Sequence, residues 1–212
     1  MQLRIQCALG LLVMIAASFT AAVDAQTPAA APAATPAPVS SGSSSPELAL
    51  GYTFLHSNAP PGGCGCFNLN GGNATFALPV KPGTFDLVGD ITVSHAGGIS
   101  SSGYTLTLST FTAGGRYLHP LGHSRLEGYA QALIGVAHSS GTLIPAQSPL
   151  VTSNAGATFV ANLGGGVDLR ITRRFSLRLA EADYLVTTFD NNVNNRQNHL
   201  RISSGLVVRF GK

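Results

Sequence analysis

The chain has 212 residues and a formal net charge of +3, with 12 Lys and Arg against 9 Asp and Glu. Only 10% of its residues are charged, far below the roughly 25% of a typical soluble domain, which argues against a long solvated helical surface, a nucleic-acid-binding face and a charge-rich disordered chain. Hydrophobic residues still reach 44% and there are 25 glycines, yet no run of about 18 apolar residues follows the N-terminal segment, so no transmembrane helix is predicted there.

In chain order, Arg4 precedes the apolar run ALGLLVMIAA, and Val23 and Ala25 place small residues just before Gln26. That arrangement predicts a secretory signal peptide over residues 1–25 and an exported mature chain in an oxidising compartment. Residues 26–46, QTPAAAPAATPAPVSSGSSSP, carry no charge and little apolar bulk. Such a segment cannot offset its ordering entropy by burial, so it reads as a periplasmic linker, extended in its proline part and flexible in its Ser/Gly part.

From residue 47 to 212 the hydrophobic period is two, the mark of half-buried strands. Leu48, Leu50, Tyr52 and Phe54 share one face, opposite Glu47, Ala49, Gly51 and Thr53. Phe85, Leu87, Ile91 and Val93 oppose Asp86, Asp90 and Thr92. Leu126, Ala130, Ala132, Ile134 and Val136 alternate with Glu127, Tyr129 and Gln131. Phe159, Ala161, Leu163, Val167 and Leu169 oppose Thr158, Asn162, Asp168 and Arg170; Leu200, Ile202, Leu206, Val208 and Phe210 oppose His199, Arg201, Ser203 and Arg209. Segments 73–80, 104–117 and 175–187 alternate less cleanly. Leu106 and Leu108 have the opposite parity to Phe111 and Tyr117, while Phe175, Leu177 and Leu179 share parity with Glu181 and Asp183. A β-bulge in each of these two segments, at Gly114-Gly115 in the earlier one, would reconcile them. Eight strands result.

Long connections at 56–72, 96–103, 139–155 and 188–197 alternate with short ones at 81–84, 118–124 and 172–174. Around an even strand number, this is the pattern of an outer-membrane barrel with its short turns in the periplasm. A soluble barrel would instead turn its apolar faces inward, and a soluble sandwich could not bury the acidic and basic faces cheaply. The predicted fold is therefore all-β, an eight-stranded antiparallel up-and-down transmembrane β-barrel over residues 47–212. Its interior would enclose a charge network of Glu47, Asp86, Asp90, Glu127, Asp168, Arg170, Arg178, Arg201 and Arg209. Eight strands leave room for side chains and little else, which predicts a mostly closed, polar lumen. Tyr52, Phe54, Tyr104, Phe159, Phe175, Tyr184 and Phe210 are the expected interfacial aromatics.

Three stretches carry a resemblance: Leu48-Ala49-Leu50-Gly51-Tyr52-Thr53-Phe54, Phe175-Ser176-Leu177-Arg178-Leu179 after a tight turn, and Leu206-Val207-Val208-Arg209-Phe210. Together they resemble the OmpA-like outer-membrane β-barrel family over residues 46–212. The resemblance implies a location in the cell outer membrane of a Gram-negative bacterium and a small structural or surface-interaction barrel. It also implies contact with outer-membrane lipids and with the barrel-insertion machinery, which reads a terminal aromatic residue; Phe210, followed here by Gly211 and Lys212, takes that place. No peptidoglycan-binding domain is expected after the barrel.

The remaining chemistry is sparse. Cys64 and Cys66 are the one cysteine pair of the mature chain, and a disulfide between them is expected outside the cell, strained though its short ring would be. Free thiols, or a metal site completed by His56 that would still lack a ligand, are the alternatives. His138-Ser139-Ser140 is similar to the His-x-Ser arrangement of outer-membrane lipid A deacylases. Such nucleophilic catalysis needs an orienting acid, and none stands at an evident position, so no enzyme, metal or cofactor is expected. Gly164-Gly165-Gly166 lies within a strand and predicts a bend or close interior packing. Lys81, Arg125, Arg173, Arg174, Arg209 and Lys212 gather toward the short-turn side, either against anionic headgroups or as a solvated rim. The long connections are nearly neutral and rich in Gly, Ser and Asn, suited to an extracellular ligand but not to nucleic acid or another polyanion. The expected role is structural or interactional; a narrow pore, a lipid-modifying barrel and a soluble ligand-binding barrel are the rivals.

Overall fold

The computed structural model describes residues 45–58, 66–99, 103–122, 125–142, 156–189 and 195–211. The expectations for residues 1–25 and for most of 26–46 lie outside these described residues. Eight strands follow in order: β1 (Glu47–Ser57), β2 (Phe67–Lys81), β3 (Phe85–Ile99), β4 (Tyr104–Pro120), β5 (Leu126–Ser140), β6 (Gly156–Arg170), β7 (Phe175–Thr187) and β8 (Gln197–Arg209). Each pairs antiparallel with its sequence neighbours. The seam between β1 and β8 runs from Glu47↔Arg209 to Ser57↔His199, which closes the barrel. The all-β, eight-stranded up-and-down architecture predicted from alternation is the one observed.

Strand ends differ from the sequence reading. β2 starts at Phe67 and β3 continues to Ile99, so the connections expected at 56–72 and 96–103 shrink to 58–66 and 100–103. Outward-facing side chains turn polar at His56, Asn68, Asn70 and His95, yet the pairs His56↔Asn68 and Asn70↔His95 extend the ladder. Loss of apolar alternation marks where the chain leaves its apolar belt, while backbone pairing continues beyond it. At the opposite end the turns are tight. Gly83 adopts φ 73°, which a glycine reaches without steric cost, and Thr84 N–H donates to the Lys81 carbonyl at 2.9 Å. Thr172 Oγ1 accepts from the N–H groups of Arg174 (3.2 Å) and Phe175 (3.0 Å), a hydroxyl-stabilised turn.

The two ambiguous registers resolve differently. No bulge occurs at Gly114-Gly115: β4 pairs continuously with β3 and β5 through both residues. Phe111 and Tyr117 point outward, and Leu108 points into the barrel and is buried. In β7 the expected bulge does occur, since pairing with β8 shifts between Arg178 and Glu181. Both of those side chains consequently face inward, three residues apart.

The outer surface is apolar, with Leu50, Phe76, Leu87, Ile91, Phe111, Ile134, Leu163 and Leu206 exposed. On β5 the outward row runs from Leu126 to Val136 before reaching His138. Ten steps of about 3.3 Å on a strand tilted by about 40° give a band about 25 Å tall, the height of a membrane-barrel belt. Of the expected interfacial aromatics, Tyr52, Tyr104, Phe159, Phe175, Tyr184 and Phe210 are exposed and Phe54 is half-buried. Tyr52 and Tyr184 donate their hydroxyls to Asn70 (2.5 Å) and Asn198 (2.7 Å), so their tips reach the polar rim while their rings stay in the belt.

Candidate functional site: the barrel interior

Strand parity sends every acidic side chain of the described residues inward: Glu47, Asp86, Asp90, Glu127, Asp168, Glu181 and Asp183 are all buried. Arg116, Arg178, Arg201 and Arg209 are buried with them, and Arg170 sits half-exposed at the short-turn end. The nine residues assigned to the interior by sequence therefore share one lumen.

At the short-turn end, Arg209 Nε bonds Glu47 Oε1 at 2.6 Å and its Nη1 donates to the Ser176 hydroxyl. Arg170 Nη2 donates to Glu127 Oε2 at 3.0 Å. Asp86 pairs in register with Arg116 across β3 and β4. Higher up, Arg178 forks onto Asp168 with Nε–Oδ1 3.0 Å and Nη2–Oδ2 3.2 Å, and its Nη1 reaches Glu181 Oε2 at 2.8 Å. The Tyr129 ring lies between two guanidiniums, 4.3 Å from Arg116 and 4.9 Å from Arg178, and its hydroxyl donates to Glu181. Cation–π contact thus holds both arginines, while ion pairing to Asp168 and Glu181 holds Arg178 alone.

Arg201 is the centre. Its guanidinium donates to Asp90 Oδ1 (2.7 Å), Thr92 Oγ1 (2.6 Å), Glu181 Oε1 (3.2 Å) and twice to Asp183 Oδ2 (2.6 and 2.9 Å). These partners come from β3 and β7, so the β8 side chain bridges the lumen. Gln131 links this group to Arg116, accepting from Arg116 Nη2 (2.9 Å) and donating to Asp183 Oδ1 (3.2 Å). Gly164 and Gly166 make the crossing feasible. A Cβ at Gly166 would lie 2.6 Å from the Tyr129 hydroxyl, and one at Gly164 would collide with the Asp183 carboxylate and the Ala182 carbonyl. Gly164 and Gly166 are thus close interior packing, whereas a Cβ at Gly165, on the opposite parity, would meet the Tyr129 backbone carbonyl of β5.

Sequence reasoning missed Arg116, Glu181 and Asp183. All three lie on the strands whose parity was ambiguous; for Arg116, the inward parity of Thr110 and Thr112, opposite Phe111, was the available signal. It also missed that the lumen is not polar throughout. Toward the long-loop end, Leu55, Leu69, Ile99, Leu108, Val160 and Leu185, with Ala96 and Ala137, form one buried apolar cluster inside the barrel. These residues come from β1 to β7, and their inward parity at the strand ends makes them a plug above the charges. At the same level, in register with Leu185, β8 contributes His199, which contacts Ser57 through Nδ1 (2.5 Å) and Thr187 through Nε2 (3.0 Å).

Other candidates do not join this centre. Cys64 is outside the described residues, and Cys66 is exposed just before β2. His56 is bonded to Asn68 at 2.7 Å on the outer face. Among the described residues no group of three His, Cys, Asp or Glu side chains is placed to hold a metal ion. His138 is exposed and shares the outer face with Ser140, whereas Ser139 is buried inside. Arg209, counted toward the basic rim by sequence, belongs to the interior, and Lys212 is outside the described residues.

No protein-family model and no curated protein matches the chain. Solved structures do. Neisserial surface protein A, from Neisseria, is similar with a TM-score of 0.63 at 14% identity, covering 78% of this chain and 97% of that one. Ail, the attachment invasion locus protein of Yersinia pestis, is similar with a TM-score of 0.54 at 14% identity, covering 79% and 100%. At such identities the likeness is one of fold: this chain is built as a small eight-stranded barrel of the outer-membrane type.

Proposed function

We propose that this chain is exported and inserted into an outer membrane, where it acts as a sealed structural or surface-interaction barrel without enzymatic activity. The double closure of the lumen carries this reading: a bridging arginine network below and an apolar plug above. A wet conduit would need lumen walls open to water, whereas at the level of the plug the inward side chains are buried, the polar Ser94, Asn162, Thr187 and His199 as well as the apolar ones. The apolar outer belt supports lipid as the immediate surrounding, and Phe210, exposed at the short-turn end, suits recognition by the insertion machinery. Partners beyond the membrane would meet the long-loop end. The lipid-modifying rival needs an acid to orient His138, but every described carboxylate is inside the barrel. Single-channel recording in planar bilayers tests the proposal: the purified chain is expected to stay silent, and stepwise conductance would overturn the sealed reading.

A further inference from the structure

Each of the three short turns carries exposed cations: Lys81 where β2 turns to β3, Arg125 before β5, and Arg173 and Arg174 between β6 and β7. Their backbones are fixed by the barrel rim, since the Arg125 carbonyl accepts from Arg170 N–H and the Arg174 carbonyl from Arg209 N–H, both at 2.8 Å. No ion pair engages these four side chains among the described residues, because every described carboxylate is buried in the lumen. The collar also has a defined height. Phe85, Tyr117, Phe175 and Phe210 are exposed beside it, and aromatic girdles sit at the headgroup level. Long basic side chains leaving that level place their charge among headgroups while their stems stay against apolar surface.

We propose that this collar is a binding surface for anionic phospholipid headgroups of the inner leaflet. The partner's chemistry follows from the site: unpaired cations at headgroup depth, spread over three turns, match several singly charged phosphodiesters better than one multivalent ligand. The proposal rests on the membrane reading above. If that reading fails, the chain will not float with vesicles at all; if only this inference fails, it will float without lipid preference.

The test uses the full mature chain in vesicles of equal phosphatidylglycerol and phosphatidylcholine, with a spin-labelled trace of either lipid, and measures the motionally restricted fraction. Phosphatidylglycerol should be preferred, and about 1 M salt, with its Debye length near 3 Å, should abolish the preference. The combined variant Lys81→Gln, Arg125→Gln, Arg173→Gln and Arg174→Gln should associate equally with both lipids. Each cation near an anionic surface is expected to contribute up to about fivefold. Lysine at all three arginine positions should keep the preference and shows that charge, not a folding defect, is measured. Equal association in the parent, a preference that survives salt, or a folded glutamine variant that retains it would each overturn the proposal. So would co-sedimentation of the parent with purified peptidoglycan alongside no lipid preference.

Discussion

Replacing Arg201 by alanine tests whether the lumen is dry. The side chain is 1% exposed and donates five hydrogen bonds, three of them reaching Asp90 and Asp183. Without it, Glu181 keeps Arg178 and Tyr129. Asp90 would be left with Thr75 and Thr92, and Asp183 with Gln131. Two carboxylates would thus lose their cation in a space closed to solvent. Breaking a buried pair from one side costs about 3–5 kcal/mol, whereas a solvent-exposed pair contributes about 0–1 kcal/mol. The expected loss for Arg201→Ala is therefore about 3–5 kcal/mol. The chain has no tryptophan, so urea unfolding in lipid vesicles is best followed by far-UV circular dichroism and heat-modifiable gel mobility. Adding Asp183→Ala removes one stranded charge, and the double variant should be less destabilised than the two singles combined, with a coupling of about 0.5–3 kcal/mol. A loss below about 1 kcal/mol, together with a strong salt dependence of the parent, would mean that water reaches the network, and the reasoning would be wrong.

Further outcomes follow from the same geometry. Gly164→Ala should cost about 1–3 kcal/mol by overpacking, whereas Gly89→Ala, whose added Cβ meets nothing within 4 Å, should unfold at the parent's urea midpoint; equal midpoints for both would remove the glycine from the packing argument. Leu69→Ala, in the centre of the plug, should cost about 2–5 kcal/mol yet leave bilayers silent, because the arginine network still closes the lumen beneath it; current through that single variant would show that the plug alone is the seal. Phe210→Ala should lower the fraction of chain reaching the heat-modifiable form in cells without changing the stability of what does insert, and unchanged insertion would end its reading as a signal.

Much of the fold was legible because each strand divides two solvents, lipid and lumen, and the period of two records that division directly. Strands β1, β3, β5, β6 and β8 could be oriented from charge alone, since Asp, Glu and Arg all fall on one parity. Legibility failed where a strand carried apolar residues on both parities. Leu106 and Leu108 looked like a register shift because hydrophobicity was read as lipid exposure, whereas Leu108 faces the plug. In β7 the conflict was real, and the extra residue between Arg178 and Glu181 resolves it. Parity analysis could detect the bulge but not place it, and leaving it unplaced hid Glu181 and Asp183.

The plug and the charge network also explain each other. A barrel this narrow cannot hydrate buried charges with bulk water, so six of its seven described carboxylates bond guanidiniums across the lumen, and only Asp86 keeps a buried carboxylate oxygen without a partner. Closing the long-loop end with this apolar cluster withholds solvent from one side of that network. It thereby preserves the low local dielectric in which the pairs from Arg201 and Arg178 are strongest. If the plug were polar, water would screen the same contacts and the barrel would lose both its seal and much of its internal bracing. The parity of Leu55, Leu69, Leu108, Val160 and Leu185 is thus part of the electrostatic design, and weakening the plug should raise the salt sensitivity of the barrel's stability even where no charge has been touched.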